Sequence, residues 1–318
     1  MTGIKNKAIF AIVGPTASGK TALGVELALK LGNGEVVNCD SVQIYRSIQI
    51  ATAKPSDQEM KGVPHHLISY VDPSINYTAA NWAEDAARKI VEIEARGGTA
   101  ILVGGTGFYL RTLRKPLFEG PRTDPGLRKR LSEIRERKGP EHLHLILQRV
   151  DPKSAERLFP RDYPRVQRAL EVYFQTGKRL SEVQKKRSAP PAFAGRIRIF
   201  ALNPPREELY QKINARSAAH FESGLIEEVR RLREEGLRDD TNALGSHGYR
   251  RACEYLRGEK TIEQAVAKTQ QDVRNYAKRQ LSWFRGEPDI AWLEGFGNEN
   301  HVREALFAMV KEADRKFL

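Results

Sequence analysis

The chain has 318 residues, with 53 Lys and Arg against 40 Asp and Glu, and its formal net charge is +13. No apolar stretch approaches the ~20 residues that a membrane span requires, and the N-terminus lacks the apolar core of a signal peptide. Two cysteines, Cys39 and Cys253, occur without a Cys/His cluster of zinc-ligand spacing. The composition therefore predicts a globular cytoplasmic protein without structural disulfides and without a membrane partner.

The positive charge is concentrated in one segment. Residues 1–110 hold equal numbers of basic and acidic side chains, whereas residues 111–190 hold 21 basic and 10 acidic ones, a net charge of +11. A polyanion larger than a metabolite is a natural partner for such a field. A solvated helical surface rich in Arg and Lys is the alternative, and the charge count leaves both open.

The first hundred residues alternate short apolar runs with helical patterns. Strands are predicted over KAIFAIV, GEVVNCD, HHLISYV and TAILVGG, and helices over KTALGVELALKLG and YTAANWAEDAARKIVEIEARGG. A βαβ rhythm of this kind predicts a parallel sheet covered by helices.

From about Lys115 the pattern becomes helical and basic. Helices are predicted over DPGLRKRLSEIRERKG, PEHLHLILQRVD, PKSAERLF and YPRVQRALEVYFQTG. KKRSAPPAFAG is typical of a linker, and RIRIFALNPP predicts a return to the sheet before two further long helices. We therefore predict a basic helical insertion over 116–195 within a core made of 1–115 and 196–318.

Residues 14–21 read GPTASGKT and match the phosphate loop G-x-x-x-x-G-K-[ST] at every fixed position. Such a loop binds phosphates through backbone N–H groups, its lysine and a helix N-terminus. The predicted phosphate-binding residues are Gly14, Pro15, Thr16, Ala17, Ser18, Gly19, Lys20 and Thr21, and the Thr21 hydroxyl is the predicted Mg²⁺ ligand. With the βαβ pattern, the loop predicts an α/β fold whose parallel-sheet core is like that of P-loop nucleoside triphosphate hydrolases.

An acidic residue, Asp40, follows the second predicted strand. Because the carboxyl ends of parallel strands face the ligand crevice, Asp40 is predicted to lie near the phosphate loop. A carboxylate there can bind magnesium or accept a proton, and a helix N-cap is the simpler alternative. Two enzyme classes remain open: a small-molecule kinase that uses ATP, and a group transferase whose loop holds a diphosphate leaving group.

The sequence also contains, in this order, GPTASGKT, DSVQIYRSIQIATAKPS, VPHHLI, ILVGGTGFYL, RALEVYFQTGK and YAKRQLSWFR. Together these stretches resemble bacterial tRNA dimethylallyltransferases, and the resemblance runs from about Ala8 to Arg285. It implies that the loop binds the diphosphate of dimethylallyl diphosphate with Mg²⁺. It also implies transfer of the dimethylallyl group to the exocyclic amine of the adenine 3′-adjacent to the anticodon in tRNA.

The resemblance assigns roles to individual residues. Asp40 is the expected general base, Thr106 a hydroxyl near the reacting centre, and Lys20 and Arg216 the cations on the diphosphate. The tRNA contacts it implies are Asp40, Ser41, Val42, Gln43, Arg165, Arg168, His247, Arg250, Lys278 and Arg279. The partner surface is the anticodon stem-loop, and a monomer is expected. For a single Arg or Lys, a solvated role is the alternative.

Two stretches depart from the family pattern. ATAKP has Ala51 where the family usually shows glycine, and Gly245-Ser246-His247 replaces residues that are usually longer or more apolar. We hypothesise that His247 supplies a different RNA contact. Three rival functions are an ATP-dependent small-molecule phosphotransferase, an enzyme that prenylates free adenine nucleotides, and a non-catalytic RNA-binding protein.

Overall fold

A computed structural model of the chain describes residues 7–185 and 187–315. The described residues form two compact units. The core unit combines those up to Arg114 with those from Pro191 onward, and the helical unit comprises those of Lys115–Pro190. The insertion predicted over 116–195 overlaps the helical unit. Within the described part of the chain, no helix combines the length and the apolar character that crossing a bilayer requires.

The core unit is built on a β-sheet in which all pairings are parallel. Over the described residues the sheet has six strands in the order β3-β2-β4-β1-β5-β6. Their bounds are β1 Ile9–Val13, β2 Gly34–Asn38, β3 His65–His66, β4 Thr99–Gly104, β5 Ile197–Asn203 and β6 Ile290–Glu294. β3 is shorter than the predicted run because Leu67 and Ser69 adopt left-handed backbone, and β6 has no counterpart among the predicted strands.

The helices of the core unit are α1 Lys20–Leu31, α2 Asp57–Met60, α3 Ala79–Ala95, α4 Gly107–Arg114, α10 Arg206–Glu222, α11 Leu225–Glu234, α12 His247–Leu256, α13 Ile262–Arg285 and α14 Asn300–Arg315. Those of the helical unit are α5 Pro125–Lys138, α6 Pro140–Val150, α7 Pro152–Arg157, α8 Tyr163–Thr176 and α9 Leu180–Val183. Four of the latter carry proline in the first turn. Proline costs no hydrogen bond there, because the first N–H groups of a helix have no partner within it.

Apolar side chains on both faces of the sheet explain its continuous hydrophobic strands. Alternate residues of β1 belong to two separate clusters: Ile9 and Ala11 to one, Phe10 and Ile12 to the other. The second cluster includes residues of α1 and α14, and the first includes Trp82 of α3. Strands buried on both faces read as unbroken apolar runs, which is the pattern seen in IFAIV and TAILVG.

The helical unit has a hydrophobic core of its own. Leucine and valine side chains from α5, α6 and α8 fill it, among them Leu131, Leu143, Leu147, Val166 and Leu170. Two buried carboxylates of this unit have partners within it. Asp151 caps α7, and Glu171 pairs with Arg128 through two hydrogen bonds of 2.7 and 3.1 Å.

Candidate active site

Three loops meet at the carboxyl end of the sheet. Residues 14–19 follow β1, Asp40 follows β2 and Thr106 follows β4, and these three strands are adjacent. Hydrogen bonds join the last two loops, because Thr106 N donates to Cys39 O at 3.2 Å and Ser41 N donates to Thr106 Oγ1 at 3.1 Å. The loops therefore form one surface at the position where parallel sheets bind ligands.

Close packing of these loops explains the two glycines before Thr106. A Cβ atom on Gly104 would lie 2.1 Å from the carbonyl oxygen of Cys39. A Cβ atom on Gly105 would lie 2.1 Å from Nε2 of Gln280. A larger residue at position 104 would push the loops after β2 and β4 apart, and one at position 105 would displace the Gln280 side chain. The two glycines therefore meet a requirement of the tertiary structure.

The phosphate loop has the conformation of an anion site. Ala17 and Gly19 adopt left-handed backbone, with φ of 65° and 85°. Ser18 Oγ and Lys20 Nζ both donate to the carbonyl of Pro15, at 2.8 and 2.6 Å. No side chain caps the first turn of α1 and no acidic residue lies in it. Its N–H groups and its positive dipole end therefore favour a bound anion.

Two cations and one carboxylate interact beside this loop. Burial lowers the pKa of Lys20 to about 8; the negative charge of Asp40 opposes this effect and the positive charge of Arg216 adds to it. Burial also lowers the pKa of Arg216, whose guanidinium donates to Thr16 Oγ1. Two cations held so close together suit a ligand that carries more than one negative charge.

Asp40 has one oxygen fixed by the backbone. Its Oδ1 accepts from the N–H groups of Val42 at 2.9 Å and Gln43 at 3.3 Å. These bonds are of the kind that a capping residue makes, and capping was the simpler alternative for Asp40 from the sequence alone. The hydrogen bonds within the described residues leave Oδ2 unengaged, and the side chain lines a cavity of about 430 Å³. Asp40 thus combines a fixed orientation with an oxygen available to a ligand.

Aromatic side chains form much of the wall of this cavity. They are Tyr45, Tyr77, Tyr109, Tyr276, His220 and His247. The side chain of Tyr276 interacts with that of Thr106, and its ring lies 5.4 Å from that of His247 between centroids. Burial lowers the pKa of His247 and lowers that of His220 to about 4, so the wall presents neutral imidazoles at neutral pH. Such walls suit a planar base or an apolar chain.

Known proteins resemble the chain over nearly all its length. Residues 43–287 match the family model described as IPP transferase. The chain belongs to the IPP transferase family. The tRNA dimethylallyltransferase of Solibacter usitatus (strain Ellin6076) is 45% identical over 302 residues, which are 95% of this chain and 97% of the relative. That of Geobacter metallireducens is 45% identical over 284 residues, 89% of this chain and 91% of the relative.

Solved structures of the same kind share the fold. The tRNA isopentenylpyrophosphate transferase of Bacillus halodurans superposes with a TM-score of 0.70 at 35% identity, covering 98% of this chain and 99% of its own. A eukaryotic dimethylallyltransferase captured acting on tRNA gives a TM-score of 0.72 at 31% identity. The match covers 91% of this chain and 74% of the eukaryotic chain. The predicted family, the predicted enzyme class and the predicted α/β fold class are thereby confirmed.

The predicted site residues of this family member occupy several places. The cavity brings together Thr16, Asp40, Ser41, Val42, Arg216 and His247. The phosphate loop and the first turn of α1 contain Gly14, Pro15, Ala17, Ser18, Gly19, Lys20 and Thr21. Elsewhere in the core unit are Gln43, Arg250, Lys278 and Arg279, whereas Arg165 and Arg168 lie on α8 of the helical unit.

Gln43 helps to close the loop that follows Asp40. Its Nε2 donates to the carbonyls of Thr52 at 3.1 Å and Ala53 at 2.9 Å. Lys54 Nζ closes the same loop by donating to Ile48 O at 2.6 Å, and burial lowers its pKa to about 8. Gln43 and Lys54 therefore hold the loop whose residues Thr52 and Ala53 line the cavity. A tRNA contact by Gln43 stays a prediction.

The two arginines of α8 differ in their freedom. Arg168 pairs with buried Glu171 at 3.4 Å and donates to the carbonyl of Pro121 at 2.7 Å. Arg165 pairs with Asp162 at 2.9 Å, but its side chain is 69% exposed. Arg168 therefore supports the helical unit itself, while Arg165 is open to solvent. Their contacts with RNA remain predictions.

Gln280 of α13 is the site residue that sequence reasoning misses. It is 5% exposed, its Oε1 accepts from Thr16 N at 2.8 Å, and its Nε2 donates to Gly105 O at 2.8 Å. One side chain thus joins the phosphate loop to the loop that carries Thr106. The partners lie 264 and 175 residues away along the chain, so no local pattern could indicate the connection.

The site offers oxygen ligands that fit a magnesium ion. No group of three or more His, Cys, Asp and Glu side chains in the described part of the chain could hold a metal by itself. Mg²⁺ is commonly held by one or two protein ligands together with phosphate oxygens and waters. The half-buried Thr21 hydroxyl is such a hard donor, so the site fits an ion that arrives with a phosphorylated ligand.

Proposed function

We propose that this protein is a tRNA dimethylallyltransferase. It transfers the dimethylallyl group of dimethylallyl diphosphate to the exocyclic amine of the adenine 3′-adjacent to the anticodon, and it releases diphosphate. The observation that carries the proposal is Asp40, which lines an aromatic cavity beside a phosphate loop with two cations. The relatives that bear this name support the same substrates.

The phosphate loop acts on the leaving group. When the bond between the allylic carbon and oxygen breaks, the electron pair leaves with the diphosphate and negative charge accumulates there. Lys20, Arg216 and the N–H groups at the start of α1 stabilise that charge where it develops. A magnesium ion held by Thr21 and the diphosphate oxygens would add positive charge to the leaving group.

Asp40 acts on the nucleophile. The exocyclic nitrogen of adenine is a poor nucleophile because its lone pair is delocalised into the ring. As this nitrogen forms its bond to the allylic carbon, it gives one proton to Oδ2 of Asp40. The N–H groups of Val42 and Gln43 hold Oδ1, so the carboxylate keeps its orientation during the transfer.

The acceptor base reaches the cavity only after it leaves its stack in the RNA loop. A volume of about 430 Å³ and aromatic walls suit a flipped base together with a short prenyl chain. Ser41, Val42 and His247 line the cavity and are the proposed contacts of that base. The proposed contacts to the remainder of the anticodon stem-loop are Gln43, Arg165, Arg168, Arg250, Lys278 and Arg279.

Label transfer tests the function directly. The enzyme is incubated with unmodified tRNA, magnesium and radiolabelled dimethylallyl diphosphate, and the nucleosides are analysed. Label in adenosine beside the anticodon is the expected result. Label in free adenine nucleotides but none in tRNA would contradict the proposed acceptor. ATP consumption with a small acceptor, and no prenyl transfer, would instead establish a phosphotransferase.

We also propose that the enzyme works as a monomer in the cytoplasm, where its tRNA substrate is found. Sedimentation velocity at the concentrations used in the assay should give a single species with the mass of one chain, 35.9 kDa. A concentration-independent dimer would contradict the monomer.

Donor affinity is expected to fall as the pH rises above about 8. Burial lowers the pKa of Lys20 to about 8 in the free enzyme, so the ammonium charge is present below that pH and lost above it. The dissociation constant of dimethylallyl diphosphate, measured without tRNA, should rise by up to about tenfold per pH unit. Lys20→Arg is the control, because guanidinium keeps its charge over this range. Equal pH slopes in the two proteins would contradict the role of Lys20.

His247→Ala is expected to weaken productive tRNA binding and to leave donor binding unchanged. The imidazole lies against Tyr276 at the cavity wall, where a flipped base could stack on it. Contacts between aromatic rings contribute about 0.5–1.5 kcal/mol, which is roughly a twofold to tenfold loss in kcat/KM for tRNA. Steady-state kinetics with several tRNAs measures it. Unchanged tRNA affinity and unchanged tRNA preference would refute the contact.

A further inference from the structure

Phe159 of the helical unit is an exposed aromatic ring without a structural role in its own fold. It lies between α7 and α8 and is 82% exposed, whereas the other exposed large apolar side chains of the described residues reach 55% at most. Apolar area left in water gains none of the stabilisation that burial would bring. Single exposed apolar side chains are common on protein surfaces, so the fixed position of this ring and the charges beside it decide what it could bind.

The backbone holds this ring in a defined position. The preceding residue, Leu158, packs against the core of the helical unit, and its carbonyl accepts from Nε2 of buried His144 at 2.8 Å. On the other side Asp162 N donates to the carbonyl of Phe159 at 2.9 Å, which closes a turn with Pro160 at its second position. Because this backbone is already ordered, binding through the ring loses little conformational entropy.

Two exposed arginines flank the turn. Arg161 is 89% exposed, and the ion pair it makes within the described residues is with exposed Glu141 at 3.7 Å. Arg165 at the start of α8 is 69% exposed and pairs with Asp162 at 2.9 Å. The segment over residues 111–190 carries 21 basic and 10 acidic side chains, so the surroundings favour a polyanion. An exposed aromatic ring beside arginines is the combination that binds unpaired nucleotides, since the ring stacks on the base and the cations pair with phosphates.

We propose that Phe159, with Arg161 and Arg165, is a stacking platform for an unpaired base of the tRNA substrate. It is a second nucleobase site, carried by the helical unit, in addition to the cavity beside Asp40. The inference rests on the proposed function. It identifies an unpaired base because the faces of a paired base are covered by its neighbours in the duplex, whereas a loop base can offer a face to the ring.

The test measures binding of a fluorescent anticodon stem-loop RNA to the full-length protein by anisotropy. Loss of a stacking ring should weaken binding roughly fivefold to 150-fold in Phe159→Leu, which keeps apolar bulk but has no aromatic face. Phe159→Trp should bind as tightly as the parent protein or more tightly. Phe174→Leu is the matched control: that ring is 49% exposed on α8 and lies edge-on to Tyr173, and its loss should change binding less than twofold.

Salt dependence separates stacking from charge. The plot of log affinity against log salt concentration has a negative slope. Arg161→Gln should make that slope shallower by about one, because one phosphate contact is lost. Phe159→Leu should leave that slope unchanged while affinity falls at every salt concentration. A duplex RNA of the same length should bind Phe159→Leu and the parent protein equally, and an equal loss on duplex and stem-loop would overturn base stacking.

Two further results would overturn the platform: stem-loop binding by Phe159→Leu at the parent affinity, or an equal loss in Phe159→Leu and Phe174→Leu. Urea unfolding of each variant should match the parent, since the ring buries little area in its own fold. The proposed function fails separately, if the parent protein transfers no dimethylallyl label to tRNA. Label transfer by the parent with unchanged binding by Phe159→Leu would refute the platform alone.

Discussion

Asp40→Asn lowers kcat for prenyl transfer by about 10²–10⁴-fold, the usual contribution of a positioned general base, and leaves the binding of donor and tRNA nearly unchanged. The physical reason lies in the two oxygens of the carboxylate. Asparagine keeps an Oδ1 that accepts from the N–H groups of Val42 and Gln43, so the turn after β2 persists. Its amide group replaces the oxygen that would take the proton.

Single-turnover label transfer with both substrates saturating measures this effect, and separate titrations measure the two dissociation constants. Asp40→Ala removes both the base and the hydrogen bonds that hold the turn. The further fall in rate from Asp40→Asn to Asp40→Ala therefore measures how much the turn contributes. Asp72→Asn is the matched control, because Asp72 also caps a turn, accepting from Ser74 N at 2.9 Å, and it is not among the cavity residues. A rate near the parent value in Asp40→Asn would refute its role as base.

Gln280→Glu impairs donor binding and kcat together, by an expected factor of roughly 10² in kcat/KM. Glutamate still accepts from Thr16 N but has no proton for Gly105 O, and a carboxylate would face that carbonyl in a buried place. An unsatisfied buried polar group costs about 1–3 kcal/mol, and more when a charge is buried. The phosphate loop and the Thr106 loop should then separate, which affects donor and reacting centre at once.

Kinetics at a temperature far below the unfolding midpoint distinguishes positioning from simple stability. We expect KM for the donor to rise and kcat to fall in Gln280→Glu even where the protein is fully folded by circular dichroism. Gln270→Glu is the control on the same helix, since Gln270 donates to the carbonyl of Asn214 at 3.1 Å and joins neither of the two loops. A variant of Gln280 that is less stable but has parent kinetics would show that the residue supports the fold alone.

Local information in the sequence determined the parts of this protein that form within short stretches. The loop GPTASGKT forms its anion site from its own backbone and from the helix that it begins. Short β-rich segments dominated by apolar residues identify β1, β2, β4 and β5, because strands buried on both faces are apolar along most of their length. The six motifs, each contiguous, were enough to indicate the family.

Only the tertiary structure decided which side chains complete the site. Gln280 reaches two loops that precede it by more than half the chain, and the aromatic cavity takes residues from β2, α4, α10, α12 and α13 or the loops beside them. Arg168 donates to the carbonyl of Pro121, 47 residues before it in the chain. The exposure of Phe159 could not be predicted from the sequence either, because an apolar residue between two helices is usually assigned to the core. Such features depend on which segments pack together, and neither periodicity nor residue type encodes a contact between distant parts of a chain.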